Sequence, residues 1–178
     1  MATEAAVGMS LKQCFVTALT DTSSTDDEGV GTLRFAQNGD VYRWVQNVDT
    51  TAITVGMVVS HDLTDTSTML TAVDAGQTSD LSVMAGVVMA ASVATTEYGW
   101  IQVLGFNASA LVSVTATVIT ITAGNYLKPV TAELYAVIDA ATQPLYLRNL
   151  QILEGVAAVT QTTLLAVAAA KDVLVNCL

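Results

Sequence analysis

Apolar and polar side chains alternate along this chain in short runs, a period of two that marks strands, and only one stretch suggests the wider helical period. The clearest run is Thr32-Leu-Arg-Phe-Ala-Gln-Asn38-Gly39-Asp-Val-Tyr-Arg-Trp-Val-Gln46. Asn-Gly readily adopts the paired positive φ angles of a type I′ turn, so this segment predicts a two-residue hairpin. In its second arm Val41, Arg43 and Val45 share one face while Tyr42 and Trp44 share the other. Both faces are therefore expected to meet protein.

An earlier strand is predicted at Leu11–Ala18. The polar run Thr20–Gly29 follows it and holds no large apolar side chain, so it reads as a loop that a partner chain is expected to hold. Beyond the hairpin, β-rich pieces separated by Gly, Asp, Asn and Thr predict strands at Gly56–Ser60, Thr68–Val73, Gly86–Ala91, Trp100–Leu104, Ala110–Ala116, Val118–Thr122, Tyr126–Pro129, Leu134–Ile138, Leu145–Leu153 and Val173–Cys177. The Ala-rich stretch Glu154–Ala170 suggests one short helix, weakened by Thr160, Thr162 and Thr163, and Ala136–Ala141 a turn. Strands at this spacing predict a mainly all-β fold, a compact barrel, β-tulip or sandwich. Two regions are expected: residues 1–29, an N-terminal strand with an acidic polar arm, and residues 30–178, a β-rich domain. No fixed repeat period points to a solenoid or propeller.

Composition changes the picture in one respect. The chain is 52% hydrophobic but only 12% charged, against about 25% charged in ordinary soluble domains. Its mean hydropathy is +0.55, yet no run of about 18 apolar residues is present to cross a bilayer as a helix. A membrane barrel would carry aromatic girdles, and aromatics are only 6% of this chain. The excess apolar surface therefore points to burial against other protein, and self-association is the first functional expectation.

Charge narrows the partners. Six Lys and Arg stand against sixteen Asp and Glu, a net charge of −10. The six cations, Lys12, Arg34, Arg43, Lys128, Arg148 and Lys171, are scattered, whereas phosphate backbones are bound by clustered ones. Nucleic acid is not an expected partner. The stretch Met1–Val7 has no basic n-region, so synthesis in a reducing cytoplasm is expected. Cys14 and Cys177 are then expected as buried free thiols in terminal strands, with a pairing between them left open.

Candidate chemistry is sparse. Ser60-His61-Asp62 holds the parts of a hydrolytic triad in composition only, because neighbouring strand residues point to opposite faces. One histidine and two distant cysteines cannot build a local zinc site. Asp21, Asp26, Asp27 and Glu28 supply oxygen ligands that could suit calcium, but not at the spacing of a calcium-binding loop, and a solvated acidic loop is the favoured reading. Gly29-Val-Gly31 lacks the lysine of a phosphate loop. Tyr42, Trp44, Tyr98 and Trp100 read as residues of a core or of an interface between chains. No cofactor and no catalytic residue is assigned.

The segment Gly31–Gly105 resembles the decoration, or cement, proteins on the heads of tailed bacteriophages. The likeness lies in the Leu-Arg-Phe…Asn-Gly-Asp-Val-Tyr-Arg-Trp-Val hairpin, Gly56-Met-Val-Val, Met84-Ala-Gly-Val-Val-Met and, most informatively, Tyr98-Gly-Trp-Ile-Gln-Val-Leu-Gly105, with Ala123-Gly-Asn-Tyr-Leu-Lys128 similar in kind. The acidic run at 20–29 and the Ala/Thr-rich tail after Glu154 depart from the smallest such proteins. The resemblance implies a β-tulip or small barrel, a homotrimer, binding to the major capsid protein, and a place on the outside of the virion after synthesis in the host cytoplasm. It implies no enzymatic activity and no direct contact with DNA or membrane. A tail-tube, head-fibre or adhesin-like component is the alternative, and a hydrolase using His61 is a third reading.

Overall fold

The computed structural model describes residues 14–62, 72–74, 84–112, 123–124, 126–130, 133–138, 150–153 and 169–177. Among them the chain is all-β, with no helix. The strands are β1 (Thr22–Ser23), β2 (Leu33–Phe35), β3 (Val41–Asn47), β4 (Ile53–Thr54), β5 (Val58–His61), β6 (Ala72–Asp74), β7 (Met84–Val88), β8 (Ser92–Val93), β9 (Tyr98–Val112), β10 (Tyr126–Val130), β11 (Glu133–Ile138), β12 (Leu150–Ile152) and β13 (Ala169–Asn176).

One strand organises the rest. β9 runs for 15 residues, against about 5–6 for an ordinary strand. Its first half pairs antiparallel with β3, from Gln46↔Tyr98 to Val41↔Leu104, and with β7 at Ile101 and Gln102. Its second half pairs antiparallel with β13, from Asn176↔Leu104 to Ala169↔Val112. The resulting sheet has the order β11-β10-β12-β13-β9-β7-β5-β6-β3-β2, with β1 attached to β9, and β4 pairs with β8 in a separate ribbon.

This large, mainly antiparallel sheet replaces the expected barrel, and it is not a pair of comparable sheets either. Among the described residues β6 links β3 to β5 through two register positions on each side, and the sheet is not closed into a barrel.

The alternation predicted for β3 holds. Val41 and Val45 join the principal core with Val58, Val59, Ile101, Val103 and Val175, while Tyr42 and Trp44 join Trp100 in a second cluster. β-Branched valine suits such two-sided burial in strands. Both faces are covered, and the cover comes from the same chain.

Several local expectations change. The hairpin forms, with Leu33↔Arg43, Arg34↔Tyr42 and Phe35↔Val41 in register, but its turn is not type I′. Gly39 has φ 93° while Asn38 stays outside the positive-φ region. Ala36 N–H donates to the Asp40 carbonyl at 2.9 Å and Gly39 N–H to the Ala36 carbonyl at 3.1 Å. That is a three-residue loop closed by a glycine bulge.

Residues 14–18 of the expected first strand are not extended in a ladder, because Val16 and Thr17 donate their N–H groups to the Glu28 carboxylate instead. β9 fuses the strand expected at Trp100–Leu104 with the start of the next, and β13 begins at Ala169 within the end of the expected helix. β11 likewise covers Ala136–Ile138, where a turn was expected. The predicted strand Val118–Thr122 and residues 154–168 of the predicted helix lie outside the described residues.

β9 changes neighbours at Gly105, whose φ is 109°. A Cβ there would run into the Asp40 carboxylate. Both the left-handed backbone and the lack of space require glycine. Gly105→Ala is expected to lower unfolding stability by about 2 kcal/mol or more, measured as a fall in the urea midpoint with the slope unchanged.

Candidate functional site

The acidic run proves to be a strap, residues 14–30, laid over the aromatic cluster. Its only ladder is β1, which meets β9 at Thr22↔Gly99 and Ser23↔Tyr98. The rest is held by side chains.

Glu28 Oε1 accepts N–H bonds from Val16 at 2.9 Å and Thr17 at 2.7 Å, and the Thr17 hydroxyl at 2.6 Å. Thr17 Oγ1 in turn accepts the Trp100 indole N–H at 2.9 Å. Asp26 accepts the Trp44 indole N–H through Oδ1 at 3.0 Å and the Val30 N–H through Oδ2 at 3.0 Å. Asp21 accepts the Ala18 N–H at 2.8 Å. Hydroxyl bonds from Ser23 and Thr25 hold the Asp27 carboxyl below the usual carboxylate range. Thus donors of the strap and of the sheet beneath it satisfy these acids. Among the described residues no three His, Cys, Asp or Glu side chains converge as a metal site would need, so Asp21, Asp26, Asp27 and Glu28 are not brought together for calcium.

The four aromatics are brought together. Trp44 and Trp100 are directly opposite in the β3–β9 ladder, with ring centres 5.2 Å apart, and Tyr98 stacks on Trp44 at 6.4 Å with 12° between planes. Phe15 from the strap meets Trp100 edge-on at 5.3 Å. Arg34 lies over Phe15 at 4.9 Å and donates to the Thr17 carbonyl at 3.1 Å. Trp44 and Trp100 are 0% exposed and Tyr42 6%. As the chain stands, these three side chains face its own strap and core, and a second chain could not touch them without moving the strap.

A second polar centre, which the alternation pattern gave no reason to single out, joins the hairpin loop to β9. The nearly buried Asp40 carboxylate accepts the Asn38 amide at 2.6 Å, the Tyr42 hydroxyl at 3.2 Å and the Phe106 N–H at 3.2 Å. Burial, then the Asp40 charge, raises the Tyr42 pKa, which keeps that hydroxyl a donor. Buried Gln102 donates to the carbonyls of Leu104 and Phe106 and accepts from Asn107 at 2.8 Å. Together these contacts join the hairpin loop to β9 on either side of Gly105.

Ser60, His61 and Asp62 do not form a relay. Among the described residues Ser60 Oγ and His61 Nδ1 are both buried without a hydrogen-bond partner, whereas a catalytic histidine is bonded to its nucleophile and oriented by a third group. Burial, then the Arg43 charge, pulls the His61 pKa down to about 4.

The thiols differ from expectation in part. Cys177 is buried, and burial pushes its pKa up to about 12. Cys14 is exposed and outside any strand, and no disulfide joins the two.

Besides Val16 in the strap and Phe35, Val48 and Val55, three large apolar side chains are exposed on the sheet. Phe106 and Leu174 face each other across β9 and β13 and are 50% and 43% exposed. Leu153 extends this surface beyond β12: it is two residues past Gln151, the β12 partner of Leu174, and is also exposed. No protein-family model, curated protein or solved structure matches the chain.

Two outcomes follow from this geometry. Asp26→Ala strands the Trp44 indole N–H and should cost about 1–2 kcal/mol, read by denaturation together with a shifted tryptophan emission. His61 has a folded pKa below its unfolded value, so the unfolded chain binds the extra proton first as pH falls from about 6.5 to about 4. Stability is therefore lost through that window, by at most roughly 3 kcal/mol. His61→Gln should flatten this component when urea midpoints at about pH 7 and about pH 4.5 are compared.

Proposed function

We propose that this chain is a structural protein of a virus particle, acting as a decoration protein on the outer surface of a tailed-bacteriophage capsid. The observation that carries the reading is the apolar surface of Phe106, Leu174 and Leu153, exposed on the sheet of an all-β chain with only 12% charged residues. Apolar patches kept at a surface mark contact with other protein. The hairpin and the Tyr98-Gly-Trp-Ile-Gln-Val segment, through their resemblance to decoration proteins, favour a capsid as that protein.

The mechanism is mechanical. Each copy binds where major capsid subunits meet and associates with its own kind, as a trimer in the simplest arrangement. Because it binds the assembled shell and not the separated subunits, it stabilises the shell by mass action. A net charge of −10 favours the outside of a DNA-filled particle.

Purified protein mixed with undecorated, expanded heads should bind and raise the temperature at which they release DNA. Phe106→Asp combined with Leu174→Asp should weaken that binding at least tenfold, about 1.4 kcal/mol, while folding persists because both side chains are half exposed. Absence of binding at micromolar protein refutes the reading. Label confined to one vertex, as read by antibody on particles, would transfer the protein to a tail or fibre.

A further inference from the structure

We infer that residues 14–28 are an exchangeable arm, which leaves its own aromatic face on a hinge at Gly29–Gly31 and seats on the same face of a second copy. The inference rests on the self-association in the proposed function and names the surface through which it operates.

The arm is tied to its own body by a few side chains more than by backbone. Its backbone ladder is two positions long, and most of its residues are exposed, the pattern of segments that open below the global unfolding free energy. Its hinge is unusual. Gly29 has φ 82° and Gly31 φ 90°, and because glycine adopts positive and negative φ about equally readily, both positions can straighten without strain.

The face beneath selects its occupant. Opening the arm leaves two indole N–H groups, on Trp44 and Trp100, without the acceptors that Asp26 and Thr17 supply. It also uncovers the Trp100 edge that Phe15 packs against, and frees the Arg34 guanidinium from the Thr17 carbonyl. An occupant must bring a hydroxyl that can accept, a carboxylate nine residues further on, and an aromatic ring two residues before the hydroxyl. The arm of a second copy has all three by identity. Contacts between copies then equal those within one, so exchange costs only the association itself, and crowding on an assembled surface lowers that cost. Val16, in the arm and 79% exposed, adds an apolar side chain that the closed arm leaves uncovered.

The test places cysteines at Ser23 and Tyr98, opposite each other across β1 and β9, in a Cys14→Ser background that removes the exposed native thiol. On one chain, Ser23→Cys with Tyr98→Cys should close within the monomer at high dilution, which reports that the register and fold are intact. Chains carrying only Ser23→Cys are then mixed with chains carrying only Tyr98→Cys, oxidised, and digested for mass spectrometry. Exchange predicts a covalent heterodimer linked through positions 23 and 98. It also predicts about tenfold more of it when Gly29→Val is added to both chains, because the left-handed hinge is then disfavoured. A Cβ at Gly29 meets Thr32 Oγ1 at 3.4 Å, an ordinary contact, so the cost of the substitution falls on the backbone angle.

A double-cysteine chain that closes internally while the mixture gives no 23–98 link overturns the exchange. If the unmodified protein still self-associates and binds heads, the capsid reading survives that result. A 23–98 link in a protein that fails to bind heads supports the exchange and removes the capsid reading.

Discussion

The architecture depends on one constraint: β9 must keep its backbone paired for 15 residues while its neighbours change from β3 and β7 to β13. A strand can do this only by bending, and the bend is built from a glycine and a carboxylate. Gly105 adopts a backbone angle closed to most residues, and Asp40 occupies the space in which a Cβ would stand. Burying that carboxylate would be costly by itself, but the Asn38 amide, the Tyr42 hydroxyl and the Phe106 N–H all donate to it. The hairpin loop therefore fixes the bend, and the bend places Phe106 opposite Leu174 on the exposed surface.

Alternation made much of this legible. It located the hairpin, and β-rich pieces bounded by turn residues located β5, β7, β10, β11 and β13. It failed at β9, since a glycine inside an apolar run reads equally as the end of a strand or as a bend within one. It failed at Leu11–Ala18 for a different reason. The acceptor that draws the Val16 and Thr17 N–H groups out of a ladder is Glu28, 11 or 12 residues away, and no local pattern reports it.

The aromatic residues show what periodicity can and cannot state. Two-sided burial of β3 follows from Val41 and Val45 against Tyr42 and Trp44, and it is realised. Which chain supplies the cover does not follow. Asp26 lies 18 residues from Trp44 and Thr17 lies 83 from Trp100, so the strap's role exists only once the sheet has formed. The apolar excess still argues for contact with other protein, but the argument moves from Trp44 and Trp100 to Phe106, Leu174 and Leu153.

The same geometry fixes the electrostatic character of the strap. The donors that reach Asp21, Asp26, Asp27 and Glu28 are backbone N–H, hydroxyl and indole groups, all neutral. Arg34, the nearby cation, meets the Thr17 carbonyl and two aromatic rings rather than a carboxylate. The strap is thus secured without being neutralised. Asp21, Asp26 and Asp27 remain at the surface, where acidic side chains disfavour the approach of polyanions. Any protein surface that comes to rest over the strap must either bring cations or leave those carboxylates in water, and an apolar contact can form only beside it.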